Sequence, residues 1–201
     1  VTALGGPYGT AAILKKRAGI PDSDTSRNDA VTSALATAAA AIHQYTGRQF
    51  GKTDTASERT FTLDARGADV HDFWTTDGLI IDGTAWDSST SAYRLEPRDG
   101  IKNQVAGWPY ERLARIYSTH PIYTALRFYE VEIAVTAKWG WAAEPADVTT
   151  AAYMLAQDDL KSGDAPFGIA GFGDYVVRVR ANPRVQELLD PYVLDKLKVA
   201  S

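Results

Sequence analysis

The sequence contains no cysteine. That excludes disulfides and thiolate metal sites outright, and it fits a reducing compartment. Histidine is scarce: His43, His71 and His120 are the only three, and no metal-ligand spacing relates them. No stretch approaches the roughly 18 apolar residues of a membrane span. The longest apolar stretch near the start, Ala38–Ile42, is mostly alanine. The opening VTALGGPYGT lacks the basic and apolar regions of a secretion signal, so the expectation is a soluble, cytosolic chain with no membrane role. Excess basic charge is missing too. Twenty-one Lys and Arg face 25 Asp and Glu, giving a formal net charge of −4 and a pI near 5.4. Gripping a phosphate backbone takes clustered Lys and Arg, so a dedicated nucleic-acid binder is a poor fit.

What is present suits a folded core. Hydrophobic residues make up 45% of 201 positions, enough for one domain or a small domain with an insertion. Gly5, Gly6, Pro7 and Gly9 predict a mobile start. Thr10 is placed to cap a short helix through Ala18, with Gly19 just past its end. A long helix starts at Asp24, Thr25 or Ser26. Its residues Val31, Leu35, Ala38, Ile42 and Tyr45 share one face, Gly47 ends it, and the small run Ala36–Ala41 lets a second face be covered.

Residues 58–141 read differently. Arg59–Leu63 and Tyr93–Leu95 alternate, Leu79–Ile81 runs into an Asp82-Gly83 turn, Leu113–Tyr117 is a further strand, and Tyr129–Lys138 is the longest. Pro145 opens another helix that runs to about Leu160. A glycine-bearing loop follows at 163–174, then a strand at Tyr175–Arg180. Asn182-Pro183 caps and starts a last helix that Pro191 ends, and 195–201 is a tail. The predicted class is α+β: N- and C-terminal helices form a small bundle, with an antiparallel β-sheet inserted between them. The segments are 1–57, 58–141 and 142–201, in one structural domain.

Little here supports catalysis. The glycines run Gly168-x-x-Gly171-x-Gly173 ahead of a strand. A dinucleotide fingerprint needs Gly-x-Gly-x-x-Gly ahead of a helix, and a phosphate loop needs Gly-Lys-Ser/Thr. His71-Asp72 has no identifiable nucleophile partner. Asp158 and Asp159 diverge by about 100° on a helix, a solvated face rather than a metal site. Trp139 and Trp141 share one side of a strand and read as core. The prediction is therefore no enzyme, no cofactor and no metal. A small nucleotide- or metal-dependent enzyme is the alternative from another class.

Three segments carry a family resemblance. Ala18-Gly19-Ile20-Pro21 precedes a long helix that ends in Ile42-x-x-Tyr45-Thr46-Gly47-Arg48-x-Phe50. Val135–Trp141 is followed by Pro145–Val148. Asp164–Gly168 is followed by Val177–Arg180. In this order they resemble the head-to-tail adaptor (head-tail connector, or head completion) proteins of long-tailed bacteriophages. The resemblance implies a structural subunit of the virion neck, assembled in the host cytoplasm into a ring of about twelve copies. It implies binding to the portal after DNA packaging, extension of the DNA channel, and a docking surface for the next neck or tail protein. A stopper or tail-completion protein of the same neck is the alternative within the class.

Candidate interface residues follow. Phe167, Ile169 and Phe172 are costly to leave in water, and burying each contributes roughly 1.5–3 kcal/mol. They anchor either a neighbouring copy or their own fold. Arg178 and Arg180 share one side of the expected strand and face a neighbour's carboxylates or passing duplex DNA. Leu194, Lys196, Leu197 and Lys198 mix apolar and basic character, as a tail does that orders on a partner. The resemblance makes that partner the portal. A ring of about twelve chains at −4 each carries on the order of −48, and an acidic channel repels the DNA backbone during passage.

Overall fold

The computed structural model describes residues 4–64, 66–116, 131–163, 179 and 182–194. The chain divides into two compact units. Lys52–Ala143 makes one; Thr2–Gly51 together with Glu144–Ser201 makes the other.

The second unit is helical. Helix α1 (Ala11–Ala18) starts where Thr10 turns extended and its hydroxyl accepts from the Ile13 amide at 3.4 Å. It stops at Gly19, whose φ of 71° suits a residue without Cβ. Helix α2 (Asn28–Thr46) begins later than the sequence suggests. The Asp24 carboxylate accepts from both the amide and the hydroxyl of Ser26, at 3.0 and 2.6 Å, which closes a local turn where the helix was expected to start. Val31, Leu35, Ala38 and Ile42 are buried as their spacing predicts, while Tyr45 is only half-buried. Ala34, Ala39 and Ala41 are buried as well, so the alanine run does serve a second covered face.

Helix α3 (Ala146–Gly163) follows Pro145 and packs on α2, and its Val148, Ala151, Ala152, Leu155 and Ala156 are buried. Helix α4 (Pro183–Leu189) is capped by Asn182, whose side chain accepts from the Val185 amide at 3.3 Å. A single tight turn, Asp190–Tyr192, then carries Pro191. Within this unit α4 packs on α3, and α1 packs on α2 and α3. Most of the expected strand Tyr175–Arg180 lies outside the described residues. The one described there, Val179, is helical and buried, so the strand assignment fails at that position.

Residues 4–10 lack helix and strand, as their glycines dictate, yet they are fixed. Tyr8 is fully buried, and the Leu4 carbonyl accepts from the Gly51 amide at 3.2 Å. Glycine excluded repetitive backbone here without preventing tertiary anchoring.

The first unit is a sheet. Strands β1 (Ser57–Leu63), β2 (Gly67–Ile81), β3 (Thr84–Ala85), β4 (Tyr93–Glu96), β7 (Tyr110–Arg115) and β8 (Val131–Trp139) form it in the order β1-β8-β2-β7-β4, with β3 paired to β2. All these pairings are antiparallel. A separate small hairpin joins β5 (Ile101–Lys102) to β6 (Val105–Ala106). Asp82 and Gly83, at φ 47° and 74°, make the two-residue left-handed turn that Asp-Gly signals. The described residues thus form an α+β protein with an antiparallel sheet.

On β8, Ile133, Val135, Ala137 and Trp139 are buried, while Glu132, Ala134, Thr136 and Lys138 face the other way. Val131 shares the inner parity but is exposed at the strand's end. The strand expected at Leu113–Tyr117 begins earlier, at Tyr110, and ends at Arg115.

Candidate assembly interface

The segment from Ile42 to Phe50 is a joint. Ile42 is buried, and its carbonyl accepts from the Thr46 hydroxyl at 2.8 Å. That hydroxyl oxygen in turn accepts from the Arg48 amide at 3.2 Å. Gly47, at φ 71°, lets the chain reverse there. Arg48 is 4% exposed, and its Nε donates to the Tyr192 carbonyl at 2.9 Å. Tyr45 donates to the Asp190 carboxylate at 2.5 Å. The Phe50 ring lies edge-on between Tyr8 and Tyr192, with ring centroids 5.8 and 5.5 Å away. Each residue of the Tyr-Thr-Gly-Arg-x-Phe pattern except Gln49 therefore has a defined task. Together they clamp residues 190–194 against the end of α2.

Leu194 is the one candidate interface residue that falls within the described residues. It is half-buried, and its amide donates to the Thr46 carbonyl at 2.9 Å. Phe167, Ile169, Phe172, Arg178, Arg180, Lys196, Leu197 and Lys198 lie outside the described residues. The sequence missed Tyr8 and Asp190 as partners in this joint. No local signal could have shown them, because their partners lie 35 and 145 positions away.

Tyr8 accepts from the Phe50 amide at 2.8 Å and pairs with His43 Nε2 at 2.5 Å. Burial pushes the Tyr8 hydroxyl well above the ordinary tyrosine range and holds His43 below its usual value. His43 is thus half-buried structure rather than free surface. Tyr192 is pushed up to about 12, first by burial and then by the nearby Asp147 carboxylate.

His71 and Asp72 are both engaged in contacts within the sheet unit. Arg59 meets His71 Nδ1 at 2.7 Å, and burial, followed by that guanidinium, lowers the imidazole's pKa. Asp72 accepts from Trp141 Nε1 at 3.0 Å, and its carbonyl accepts from the Gly140 amide at 2.6 Å. Trp139 and Trp141 are buried and both belong to the core, although Trp141 lies two residues past the end of β8 and not on the strand. Asp158 is exposed and Asp159 half-buried on α3. Among the described residues no three acidic or histidine side chains gather as a metal site would require, and no helix is long and apolar enough to cross a membrane.

Both depressed imidazoles give a pH dependence of known sign. The unfolded chain binds protons near pH 6.5, the ordinary histidine value, while the folded chain binds them only lower. Unfolding therefore takes up protons, and stability falls as pH drops through 6.5 toward the folded values. Urea midpoints are expected to fall between about pH 7.5 and about pH 5.5, with a smaller slope in His43→Gln and His71→Gln. Unchanged slopes in both variants would remove the two histidines from the account. Asp24, Asp77 and Asp87 have lowered pKa values and act in a separate window, below the ordinary carboxylate value of 3.8.

Among the described residues, an exposed face of α1 and an exposed face of the sheet bear on assembly. On α1, Ala12, Ile13, Lys16 and Arg17 are exposed, and Ile13 is 46% so. On the sheet, the outward residues of β1 and β8 pair as Glu58 with Thr136, Thr60 with Ala134 and Thr62 with Glu132. Ile80 of β2 lies beside Thr136.

Comparison with known proteins places this architecture. No family model matches the chain, and no curated protein does. Among solved structures, one chain from the "neck of empty GTA particle computed with C6 symmetry" matches with a TM-score of 0.51 at 15% identity. The match covers 96% of this chain and 93% of that one. The fold is shared across essentially the whole length of both.

Proposed function

We propose that this chain is a structural subunit of the neck of a phage-like particle, acting as a ring-forming head-to-tail adaptor with no catalytic step. The observation that carries the reading is the end-to-end fold match to a chain from a particle neck. It agrees with the family resemblance of the Tyr-Thr-Gly-Arg joint and the Trp-Gly-Trp strand end, which is independent of it. The adaptor binds the portal after DNA packaging, continues the DNA channel and presents a surface to a stopper or tail protein. A ring of about twelve copies is compatible with the sixfold symmetry of the neighbour's neck, since six divides twelve. The mildly acidic chain suits a conduit that must release the duplex.

The portal-contacting element in this proposal is the tail that follows Leu194. The joint around Arg48 holds Tyr192 in the core, which fixes the residues that lead up to the tail. A truncation that tests it must leave residues 190–194 intact, because removing Tyr192 would strip the packing from Phe50. Deleting 195–201 is expected to leave the folded chain's urea midpoint unchanged and to abolish co-sedimentation with purified portal rings. Full binding by the truncated chain would move the contact elsewhere. Failure of the intact chain to co-sediment with portal rings, together with particle necks that are complete without it, would overturn the adaptor reading.

A further inference from the structure

A closed ring of identical subunits needs two different, mutually complementary surfaces on every copy, because each contact is head-to-tail. The two exposed faces described above differ in this way. The outer face of α1 is basic around an apolar centre. Lys16 and Arg17 flank Ile13, and Lys16 has no ion-pair partner among the described residues. Arg17 stacks its guanidinium 4.5 Å over the Tyr153 ring, which holds the charge at the helix surface. The outer face of β1 and β8 carries two carboxylates around a small centre, and its cation, Lys138, is already paired with Asp77 at 2.5 Å. Glu58 and Glu132 lie at diagonal corners, with Thr60 and Ala134 paired between them. Both carboxylates are exposed and lack ion-pair partners among the described residues. Ala134 is half-buried and carries the shortest side chain of that face, and the Asp82 carboxylate, which accepts from its amide at 2.9 Å, adds a further negative charge beside it.

We infer that α1 of one copy docks on the β1–β8 face of the next, with Ile13 seated over Ala134 and Lys16 drawn to Glu58 and Glu132. The occupant is a second copy of this chain, argued from the opposite charges and the matched apolar centres. This rests on the ring reading above and names the contact that would build the ring. One face of an eight-residue helix is far smaller than the about 800 Å² per partner of a stable interface. Such a contact is weak between free copies and becomes effective when a template holds them side by side. A chain that stays monomeric until it meets its template has this behaviour.

The absence of native cysteine allows a clean test. Ile13→Cys and Ala134→Cys are made in separate full-length chains, one bearing a tag so that mixed dimers differ in size. They are mixed at high concentration and oxidised mildly. The control pairs Ile13→Cys with Ser88→Cys, an exposed residue in the turn after β3. Mixed Ile13–Ala134 dimers are expected at least about tenfold faster than control dimers. Lys16→Glu should remove that advantage, and adding Glu58→Lys with Glu132→Lys should restore it, since the opposite signs are re-established. Equal rates for the two pairings, or no effect of Lys16→Glu, would overturn the contact. Co-sedimentation of the wild-type chain with portal rings is read separately, so the contact can fail while the neck reading stands.

Discussion

Gly67→Ala is expected to destabilise the protein by roughly 4 kcal/mol, combining backbone strain with overpacking. Gly67 opens β2 at φ 139°, a conformation that L-residues rarely adopt. It pairs with Ala114 on β7. A Cβ there would lie 1.9 Å from the Leu113 carbonyl oxygen and 3.0 Å from Ala114 Cα. Both obstacles are backbone, so no side-chain rotation relieves them. The turn before it is equally committed. Asp64 Oδ1 accepts from the amides of Arg66 and Gly67 at 2.6 and 2.9 Å, and the Gly67 carbonyl accepts from the Asp64 amide at 2.9 Å. Either this turn opens or β7 withdraws from β2. Urea unfolding of the variant against wild type measures the loss, and a change below about 1 kcal/mol would mean that β2 and β7 do not approach this closely.

Trp139→Ala is expected to cost about 3–5 kcal/mol, the range for deleting a large buried aromatic. The ring is 0% exposed at the end of β8. Its Nε1 donates to the Ser57 carbonyl at 2.9 Å and approaches the Ser57 hydroxyl at 3.0 Å, which ties β8 to the start of β1. Arg59 lies 4.5 Å over the ring, and Phe61, His71 and Phe73 meet it at 5.7, 6.2 and 6.2 Å. Removing the indole leaves a cavity and takes the aromatic face from a guanidinium whose pKa burial already lowers. Trp139→Phe should recover more than half of the loss, because most of the packing returns and only the Ser57 hydrogen bonds stay unmade. Equal losses for the two variants would shift the weight from packing to those hydrogen bonds. Loss of tryptophan near-ultraviolet dichroism and the urea midpoint report on both.

Gly67 lies in the part of the molecule that was least legible. Residues 67–73 read GADVHDF and carry two aspartates and a histidine, so they give no strand signal. Yet Ala68, Val70 and Phe73 are buried in β2. Register irregularities between Asp69 and Phe73, Phe73 and Thr75, and Thr75 and Ile80 break the two-residue alternation on which strand reading depends. Elements whose signals are local came through well. Thr10 and Gly19 bound α1, Asn182 caps α4, Asp82-Gly83 turns the β2–β3 hairpin, and β8 alternates along its length. The start of α2 did not, because Asp24 spends its carboxylate on Ser26.

The candidate site divides in the same way. The Tyr-Thr-Gly-Arg pattern was visible in the sequence, and its α2-terminating glycine was readable. Its purpose was not. Arg48 reads as a surface charge until Tyr192, 144 residues later, is seen to take its Nε proton as a hydrogen bond. The carboxylate-bearing β1–β8 face likewise exists only because strands far apart in sequence pair Glu58 beside Thr136 and Thr62 beside Glu132.

By itself the sequence determined both ends of α1, the end of α2, the starts of α3 and α4, which turn is left-handed, and that no thiol chemistry occurs. Those properties depend on a few adjacent residues and their φ, ψ preferences. Only the tertiary structure decided which strands are neighbours, what Arg48 and Tyr8 hold, and which charges are left facing outward. Those outcomes depend on groups that meet through space, and a linear pattern carries no record of who will be opposite whom.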